Sequence, residues 1–264
     1  MSFAINGGTV YFIGAGPGAV DLITLRGHAH IGAADLILLA DSLIDPAIAG
    51  HARPDARIVG SSTMSLDELI PLMVEASARG EVVVRLQSGD PTVYGAIHEQ
   101  MAALRTANVP FEIIPGVSSA FAAAAALGVE LTVPSVAQTV ILSRAPGRAS
   151  RVPESESLRS LAAHGATLVL FLSAGIIDRA VADLIEGGYA AKTPAAIAYR
   201  VSWEDEQLIR CALADVPAAM RDAGITRTAL VLVGAALGSS EAVAAARSRL
   251  YDAAYGHRYR AERE

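Results

Sequence analysis

The chain has 264 residues, of which 52% are apolar and 18% are charged, and its formal net charge is −6. This composition excludes a disordered or fibrous chain. The acidic balance also argues against a nucleic-acid-binding protein, which normally presents a basic face. Because Cys211 is the one cysteine, the chain can form no internal disulfide and no thiolate metal cluster.

The apolar stretches of the sequence are too short to cross a membrane. The longest, residues 121–129, 167–172 and 228–237, fall short of the roughly 20 residues that span a bilayer. Residues 1–8 have neither a basic region nor an apolar core, so we predict no signal peptide. Together with the single cysteine, these features predict a cytoplasmic protein that does not bind a membrane.

Short apolar runs alternate with helical patterns in the first part of the chain. The runs predict strands at residues 10–13, 36–39, 82–86 and 111–114. Helices are predicted between them at residues 24–33 and 96–105, and a further helix begins after Ser65 and ends at Gly80. Ser65 and Glu68 have the spacing of a capping box. Such alternation is typical of a mostly parallel sheet covered by helices on both faces.

The alternation resumes after Pro115 and Gly116. The predicted strands of this second part are residues 139–142, 168–172, 195–199, 208–212 and 229–233. We therefore predict two α/β domains, residues 1–117 and 118–240. Residues 241–264 are predicted to form a helical tail that lies on the surface or at a subunit contact.

The loop after the first predicted strand fits the glycine pattern of dinucleotide-binding folds, since it reads Gly14-Ala15-Gly16-Pro17-Gly18-Ala19. An NAD(P)-binding oxidoreductase is therefore one candidate. Two features count against it. Pro17 removes a backbone donor where the pyrophosphate needs donors. No acidic residue ends the second strand, because Asp35 precedes it and Asp41 lies beyond it.

A second loop, residues 87–95, follows the third predicted strand. Its Gly89 allows close approach of a ligand, and Asp90 places a carboxylate at the carboxyl end of a strand, where open α/β sheets bind ligands. Alternatively, the loop is an ordinary connection in which Asp90 caps the next turn. The residues alone leave both interpretations open.

Three motifs in this order resemble the signatures of the tetrapyrrole (corrin and porphyrin) methylase family. They are Gly14–Gly18 with residues 21–24, Gly89-Asp90-Pro91 with Tyr94-Gly95, and residues 115–119. The similarity extends from residue 10 to about residue 238. It implies two α/β domains with the active-site cleft between them, usually in a homodimer.

Four further stretches are most similar to the family members that methylate carbon C11 of precorrin-4. They are residues 40–43, 94–101, 138–144 and 227–230. The resemblance implies methyl transfer from S-adenosylmethionine to give precorrin-5 and S-adenosylhomocysteine. Methylation of another ring carbon, a cobalt-bearing substrate, and a non-catalytic module that only binds the cofactor remain open.

The resemblance also implies a set of cofactor-binding residues: Pro17, Gly89, Asp90, Val93, Ser118, Ser119, Leu172, Tyr199, Arg200, Thr228 and Ala229. The substrate carries many carboxylates, which arginine binds in bidentate fashion. Arg144, Arg148 and Arg151 in the loop after a predicted strand are therefore the candidate substrate-binding residues, although a solvated loop would show the same composition. No residue is singled out as catalytic, and no metal site is predicted.

Overall fold

The structure, a computed structural model, describes residues 4–146, 152–239, 241–248, 255, 256 and 258. The chain divides into two compact units. Unit 1 comprises Met1–Ala122 and Arg200–Glu206, and unit 2 comprises Ala123–Tyr199 and Gln207–Glu264. The division after Ala122 falls inside a helix, α4 (Ser119–Leu127).

Unit 1 contains a five-stranded parallel sheet in the order β3-β2-β4-β1-β5. Its strands are β1 (Val10–Gly14), β2 (Leu36–Leu39), β3 (Arg57–Gly60), β4 (Val83–Gln87) and β5 (Phe111–Ile114). Its helices are α1 (Leu25–Ala33), α2 (Leu66–Ala78) and α3 (His98–Thr106). The central positions of β4 and β1 place the carboxyl ends of β4, β1 and β5 side by side.

Both faces of this sheet are buried. Tyr11 and Ile13 pack with Ile31 of α1 on one face, and Val10 and Phe12 pack with Met73 of α2 on the other. The prediction of a parallel sheet covered on both faces is therefore confirmed for unit 1.

The ends of the helices in unit 1 follow from their capping residues. Thr24 caps α1 by accepting a hydrogen bond from the Gly27 N–H at 3.1 Å. The predicted capping box is present at α2, where the Ser65 N–H donates to Glu68 Oε2 at 2.7 Å. Such caps satisfy backbone donors that have no partner within the helix.

Unit 2 contains a second five-stranded sheet in the order β6-β7-β10-β8-β9. Its strands are β6 (Val140–Arg144), β7 (Thr167–Phe171), β8 (Pro194–Tyr199), β9 (Gln207–Ala212) and β10 (Ala229–Val233). Helices α5 (Leu158–Ala162), α6 (Ile177–Glu186) and α7 (Val216–Asp222) contribute to its core, with Leu184 and Met220 packed against Leu168 and Ile197.

The expectation of a mostly parallel sheet is wrong for unit 2. Only β6 and β7 pair in parallel, and the other three pairings are antiparallel. A parallel connection needs about a dozen residues or more, and the Arg200–Glu206 segment that joins β8 to β9 is too short for one. β8 and β9 are therefore antiparallel neighbours.

The predicted helical tail begins with α8 (Glu241–Ala245). Residues 246–248 are not helical, and most of the following residues lie outside those that the structure describes. Among the helices of the described ranges, none is long and apolar enough to cross a membrane.

Candidate active site

Three loops meet at the carboxyl edge of the sheet in unit 1. The first loop (residues 15–19) follows β1, the second loop (residues 88–97) follows β4, and the third loop (residues 115–118) follows β5. Because β4, β1 and β5 are adjacent and parallel, their loops emerge on the same edge. This edge carries six of the residues predicted to bind the cofactor: Pro17, Gly89, Asp90, Val93, Ser118 and Ser119, the last of which is the first residue of α4.

The first and second loops are joined through their backbones. The Gly89 N–H donates to the Gly16 carbonyl at 2.8 Å, and the Gly16 N–H donates back to the Gly89 carbonyl at 3.3 Å. Gly16 and Gly89 have φ of 82° and 63°, in the left-handed region that glycine adopts without a steric penalty. The glycines at these positions are thus required by the pairing of the two loops.

The third loop lies directly against the second loop and against the end of β1. A Cβ on Gly116 would lie 2.2 Å from the Gly89 carbonyl oxygen and 2.7 Å from Gly14 Cα. A Cβ on Gly14 would lie 2.5 Å from the same oxygen. No side chain fits between these backbones, so the glycine motif serves the packing of one loop on another.

Asp90 ties the second loop to the third. Its Oδ2 accepts a hydrogen bond from the Gly116 N–H at 3.0 Å. Its Oδ1 accepts from the Thr92 N–H at 2.9 Å and from the Thr92 hydroxyl. The Thr92 bonds are those of a capped turn, while the Gly116 bond holds a neighbouring loop. Asp90 therefore stabilises the arrangement of the loops and also places a negative charge at this edge.

These bonds decide the ionisation of Asp90. Burial opposes the charged form, but the bonds from Thr92 and Gly116 outweigh burial and hold the pKa of Asp90 below its ordinary value. A lowered carboxyl pKa stabilises the fold fully above the unfolded pKa of about 3.9, and this stabilisation is lost as pH falls through the lower folded value.

We therefore expect a pH-dependent difference in stability between the wild-type protein and Asp90→Asn. The difference in free energy of unfolding should be constant near neutral pH and should shrink in acid, as Asp90 becomes protonated in the wild type. Urea unfolding at a series of pH values measures it. A difference that grows in acid would contradict the assigned direction of the pKa.

Four more of the residues predicted to bind the cofactor lie at one edge of the sheet in unit 2. Ala229, the first residue of β10, pairs with Tyr199 at the end of β8. Thr228 precedes Ala229, and Leu172 follows β7, the other neighbour of β10.

The backbone at this edge is strained. Leu172 and Thr228 have φ of 51° and 55°, a conformation that costs about 1–3 kcal/mol and is found at ligand-binding sites. Leu172 is 61% exposed, although water is an unfavourable environment for a large apolar group.

Arg200, the remaining residue of that set, belongs to the Arg200–Glu206 segment of unit 1. Its guanidinium stacks on the Trp203 ring at 4.1 Å from the ring centroid and pairs with Asp205 at 2.6 Å. The Trp203 indole N–H donates to the Pro17 carbonyl at 3.0 Å, and the Ala19 N–H donates to Ser202 Oγ at 3.0 Å. This segment therefore contacts the first loop.

Sequence reasoning singled out neither Ser202 nor Trp203. A usable signal was present, because Trp203 is the one tryptophan of a chain with 5% aromatic residues and it stands between polar residues. A lone indole in a polar segment indicates a specific contact more readily than a core position.

The candidate substrate arginines are only partly described. Arg144 ends β6 and is half-buried. Arg148 and Arg151 lie outside the described residues, so their proposed role stays a prediction. Within the described ranges, no group of three or more His, Cys, Asp and Glu side chains could hold a metal ion.

The geometry of the first loop differs from that of a dinucleotide site. As expected from the sequence, the long helix does not begin at the glycines. A short 3-10 helix (Val20–Leu22) intervenes, and α1 begins at Leu25. The glycine loop therefore does not present the N-terminus of α1 to a pyrophosphate.

Neither candidate acid is free to bind a ribose. The Asp41 carboxylate accepts from the Ser62 and Ser61 N–H groups, each at 2.9 Å. The Ser62 N–H and hydroxyl bonds are the main reason that the pKa of Asp41 lies below its ordinary value. Asp35 pairs with Arg53 and accepts from the Val82 N–H at 2.7 Å. Both carboxylates are engaged within the protein.

Comparison with known proteins shows the family of the chain. Residues 9–217 match the family model of the tetrapyrrole (corrin/porphyrin) methylases. The chain is 46% identical to a cobalt-precorrin-4 C(11)-methyltransferase of Methanocaldococcus jannaschii, over 97% of both chains. It is 44% identical to a precorrin-4 C(11)-methyltransferase of Sinorhizobium sp, over 97% of this chain and 100% of the relative.

Solved structures have the same fold. One of a cobalt precorrin-4 methyltransferase aligns with a TM-score of 0.85 at 43% identity, covering 88% of this chain and 96% of the other. One of uroporphyrin-III C-methyl transferase from Thermus thermophilus, complexed with S-adenyl homocysteine, aligns with a TM-score of 0.70 at 26% identity, covering 86% and 97%. The chain belongs to the tetrapyrrole (corrin/porphyrin) methylase family.

Proposed function

We propose that this protein transfers the methyl group of S-adenosylmethionine to carbon C11 of precorrin-4, giving precorrin-5, S-adenosylhomocysteine and a proton released from the macrocycle. The observation that carries the proposal is the near-complete coverage of relatives named for methylation of C11 of precorrin-4 or of cobalt-precorrin-4, at 44% and 46% identity. The three-loop edge of unit 1 supports it, because its glycines and Asp90 hold the loops against one another and the glycine loop does not lead directly into a long helix as it would in a dinucleotide site.

S-adenosylmethionine supplies a methyl group on a sulfonium, which is already a good leaving group. The contribution of the protein is then to hold the donor and the nucleophilic carbon in line, and such positioning lowers a barrier by about 7–11 kcal/mol. A rigid edge is needed for this purpose. The backbone bonds between Gly16 and Gly89 and the Asp90–Gly116 bond provide it in unit 1.

Within unit 1, the residues proposed to hold the cofactor are Pro17, Gly89, Asp90, Val93, Ser118, Ser119 and Arg200. The proposed enzyme is a cytoplasmic homodimer, in keeping with its family, and analytical ultracentrifugation tests the dimer.

Incubation with S-adenosylmethionine labelled in its methyl group tests the reaction. With precorrin-4 as acceptor, the expected product is one methyl group heavier and carries the label on C11, as located by NMR. Label on another ring carbon, or no transfer, would overturn the proposal.

Cobalt-precorrin-4 is a second candidate acceptor, because relatives named for the cobalt-bearing and the metal-free substrates match about equally, at 46% and 44% identity. Comparing kcat/KM for the two acceptors under the same conditions separates them. A higher value for cobalt-precorrin-4 would replace the metal-free substrate in the proposal.

Charge reversal at the end of β6 and in the loop that follows it is expected to weaken substrate binding alone. In Arg144→Glu with Arg148→Glu, KM for the tetrapyrrole should rise about tenfold or more, because each charge-assisted hydrogen bond contributes about 1.5–3 kcal/mol. S-adenosylhomocysteine affinity should not change. Arg247→Glu, an exposed reversal elsewhere, is the control. Loss of cofactor affinity would contradict the assignment.

A further inference from the structure

The Arg200–Glu206 segment contacts the first loop at Pro17, Gly18 and Ala19. We propose that Trp203 is a positioning residue for S-adenosylmethionine, because its side chain stabilises the first loop in the conformation that binds the cofactor. This inference rests on the proposed function only in taking S-adenosylmethionine as the ligand of that loop.

Two hydrogen bonds fasten the loop on either side of Gly18. The Trp203 indole N–H donates to the Pro17 carbonyl at 3.0 Å, and Ser202 Oγ accepts from the Ala19 N–H at 3.0 Å. Two consecutive side chains of the segment thus bind the residues before and after one glycine. The conformation of the first loop is therefore set by the segment as well as by the second loop.

The indole also occupies the space beside Gly18. A Cβ on Gly18 would lie 2.2 Å from Trp203 Cδ1 and 2.4 Å from Nε1, distances at which the two cannot coexist. The φ of Gly18 lies outside the left-handed region, so alanine could adopt this backbone. Glycine is needed at position 18 because Trp203 packs on it.

Trp203 is itself held in a defined orientation. The Arg200 guanidinium stacks on its ring and pairs with Asp205, and the Ser202 N–H donates to Glu206 Oε2 at 2.6 Å. Arg200 and Ser202 have φ of 44° and 66°, and such strain persists only where surrounding contacts maintain it. These contacts within the segment fix the orientation of Trp203 against the first loop.

A positioning role of Trp203 and a purely structural role predict different effects on cofactor affinity. If Trp203 only stabilised the fold, its loss would lower the free energy of unfolding and leave the affinity of the folded protein for the cofactor unchanged. If it positions the first loop, folded variants bind S-adenosylhomocysteine more weakly. Gly18 and Trp203 should then be coupled, because the harm done by a Cβ at position 18 depends on the indole.

Calorimetric titration of S-adenosylhomocysteine into a set of folded variants tests the proposal. Trp203→Phe keeps a ring but removes the indole donor, and its affinity should fall about three- to tenfold, as for the loss of one hydrogen bond. Gly18→Ala should lower affinity about tenfold or more, since the indole is displaced. In a Trp203→Ala background, adding Gly18→Ala should change affinity by less than about twofold. Glu204→Ala, an exposed neighbour, is the matched control.

The single tryptophan gives a second readout. In Gly18→Ala, Trp203 emission should move to longer wavelength because the indole enters water. The positioning role of Trp203 would be overturned if Gly18→Ala lowered affinity equally in the wild-type and Trp203→Ala backgrounds, or if affinity were unchanged in Trp203→Phe. A wild-type protein that fails to bind S-adenosylhomocysteine would instead overturn the proposed cofactor, so the two failures are distinguishable.

Discussion

Gly116→Ala is expected to abolish measurable S-adenosylhomocysteine binding and to lower the thermal unfolding temperature. The added Cβ would lie 2.2 Å from the Gly89 carbonyl oxygen and 2.7 Å from Gly14 Cα. Both contacts are with backbone, so no side-chain rotation relieves them and the third loop must move away from the second loop and from the end of β1. Overpacking of this kind costs about 1–3 kcal/mol or more.

Gly50→Ala is the matched control for this prediction. Gly50 lies in a 3-10 helix of unit 1 (Pro46–His51), and a Cβ there would meet nothing within 4 Å. Calorimetry and thermal unfolding of both variants separate a collision at the site from the general effect of an extra methyl group. Wild-type affinity in Gly116→Ala would show that the close packing of the loops does not shape the cofactor site.

Asp90→Ala is expected to weaken S-adenosylhomocysteine binding by about tenfold to a hundredfold. The change removes the acceptor of the Gly116 N–H and the one oxygen that accepts from both the N–H and the hydroxyl of Thr92. A donor left unsatisfied in a partly buried position costs about 1–3 kcal/mol, and the third loop loses its tie to the second. Asp90→Asn should fall between the alanine variant and the wild type, because the amide keeps one acceptor oxygen.

Asp45→Ala controls for the loss of a turn-capping carboxylate in the same unit. Asp45 accepts from the Ala47 N–H at 2.9 Å, a bond of the same type as that from Thr92 to Asp90, but none of the three loops contains it. Its loss should lower stability slightly and leave affinity unchanged. If Asp90→Ala bound S-adenosylhomocysteine like the wild type, Asp90 would have to be removed from the site.

The sequence predicted the architecture of unit 1 because its local signals agree with its topology. Uninterrupted apolar strands that alternate with capped helices bury both of their faces in a parallel sheet covered by helices on each side. The edge strand β3 (Arg57–Gly60) escaped prediction, since two of its four residues are apolar and its side chains are mostly exposed. An edge strand on the surface leaves little apolar pattern to read.

Unit 2 shows where such reasoning stops. Strand positions are local, but strand direction depends on which strands pair, and β10 inserts between β7 and β8 with the opposite direction. The contact of Trp203 with Pro17 joins residues 186 positions apart in the chain. No spacing rule connects them, so the role of this segment becomes visible only in three dimensions.

The glycine motif illustrates the same limit. Its pattern is compatible with a dinucleotide and with the methylase family, because both need backbones in close approach. Packing distinguishes them: Gly14 lies against Gly116, and Gly18 lies against Trp203. In this chain, these two glycines of the motif serve contacts within the protein.

A calorimetric titration of the purified protein with S-adenosylhomocysteine, with NAD and NADP titrated in parallel, tests the central claim most directly. Saturable binding of S-adenosylhomocysteine and no response to either dinucleotide are predicted, which would leave the acceptor carbon as the remaining question. Binding of NAD or NADP without binding of S-adenosylhomocysteine would contradict the claim, because the first loop would then be a dinucleotide site and the proposed tetrapyrrole methylation would lose its cofactor.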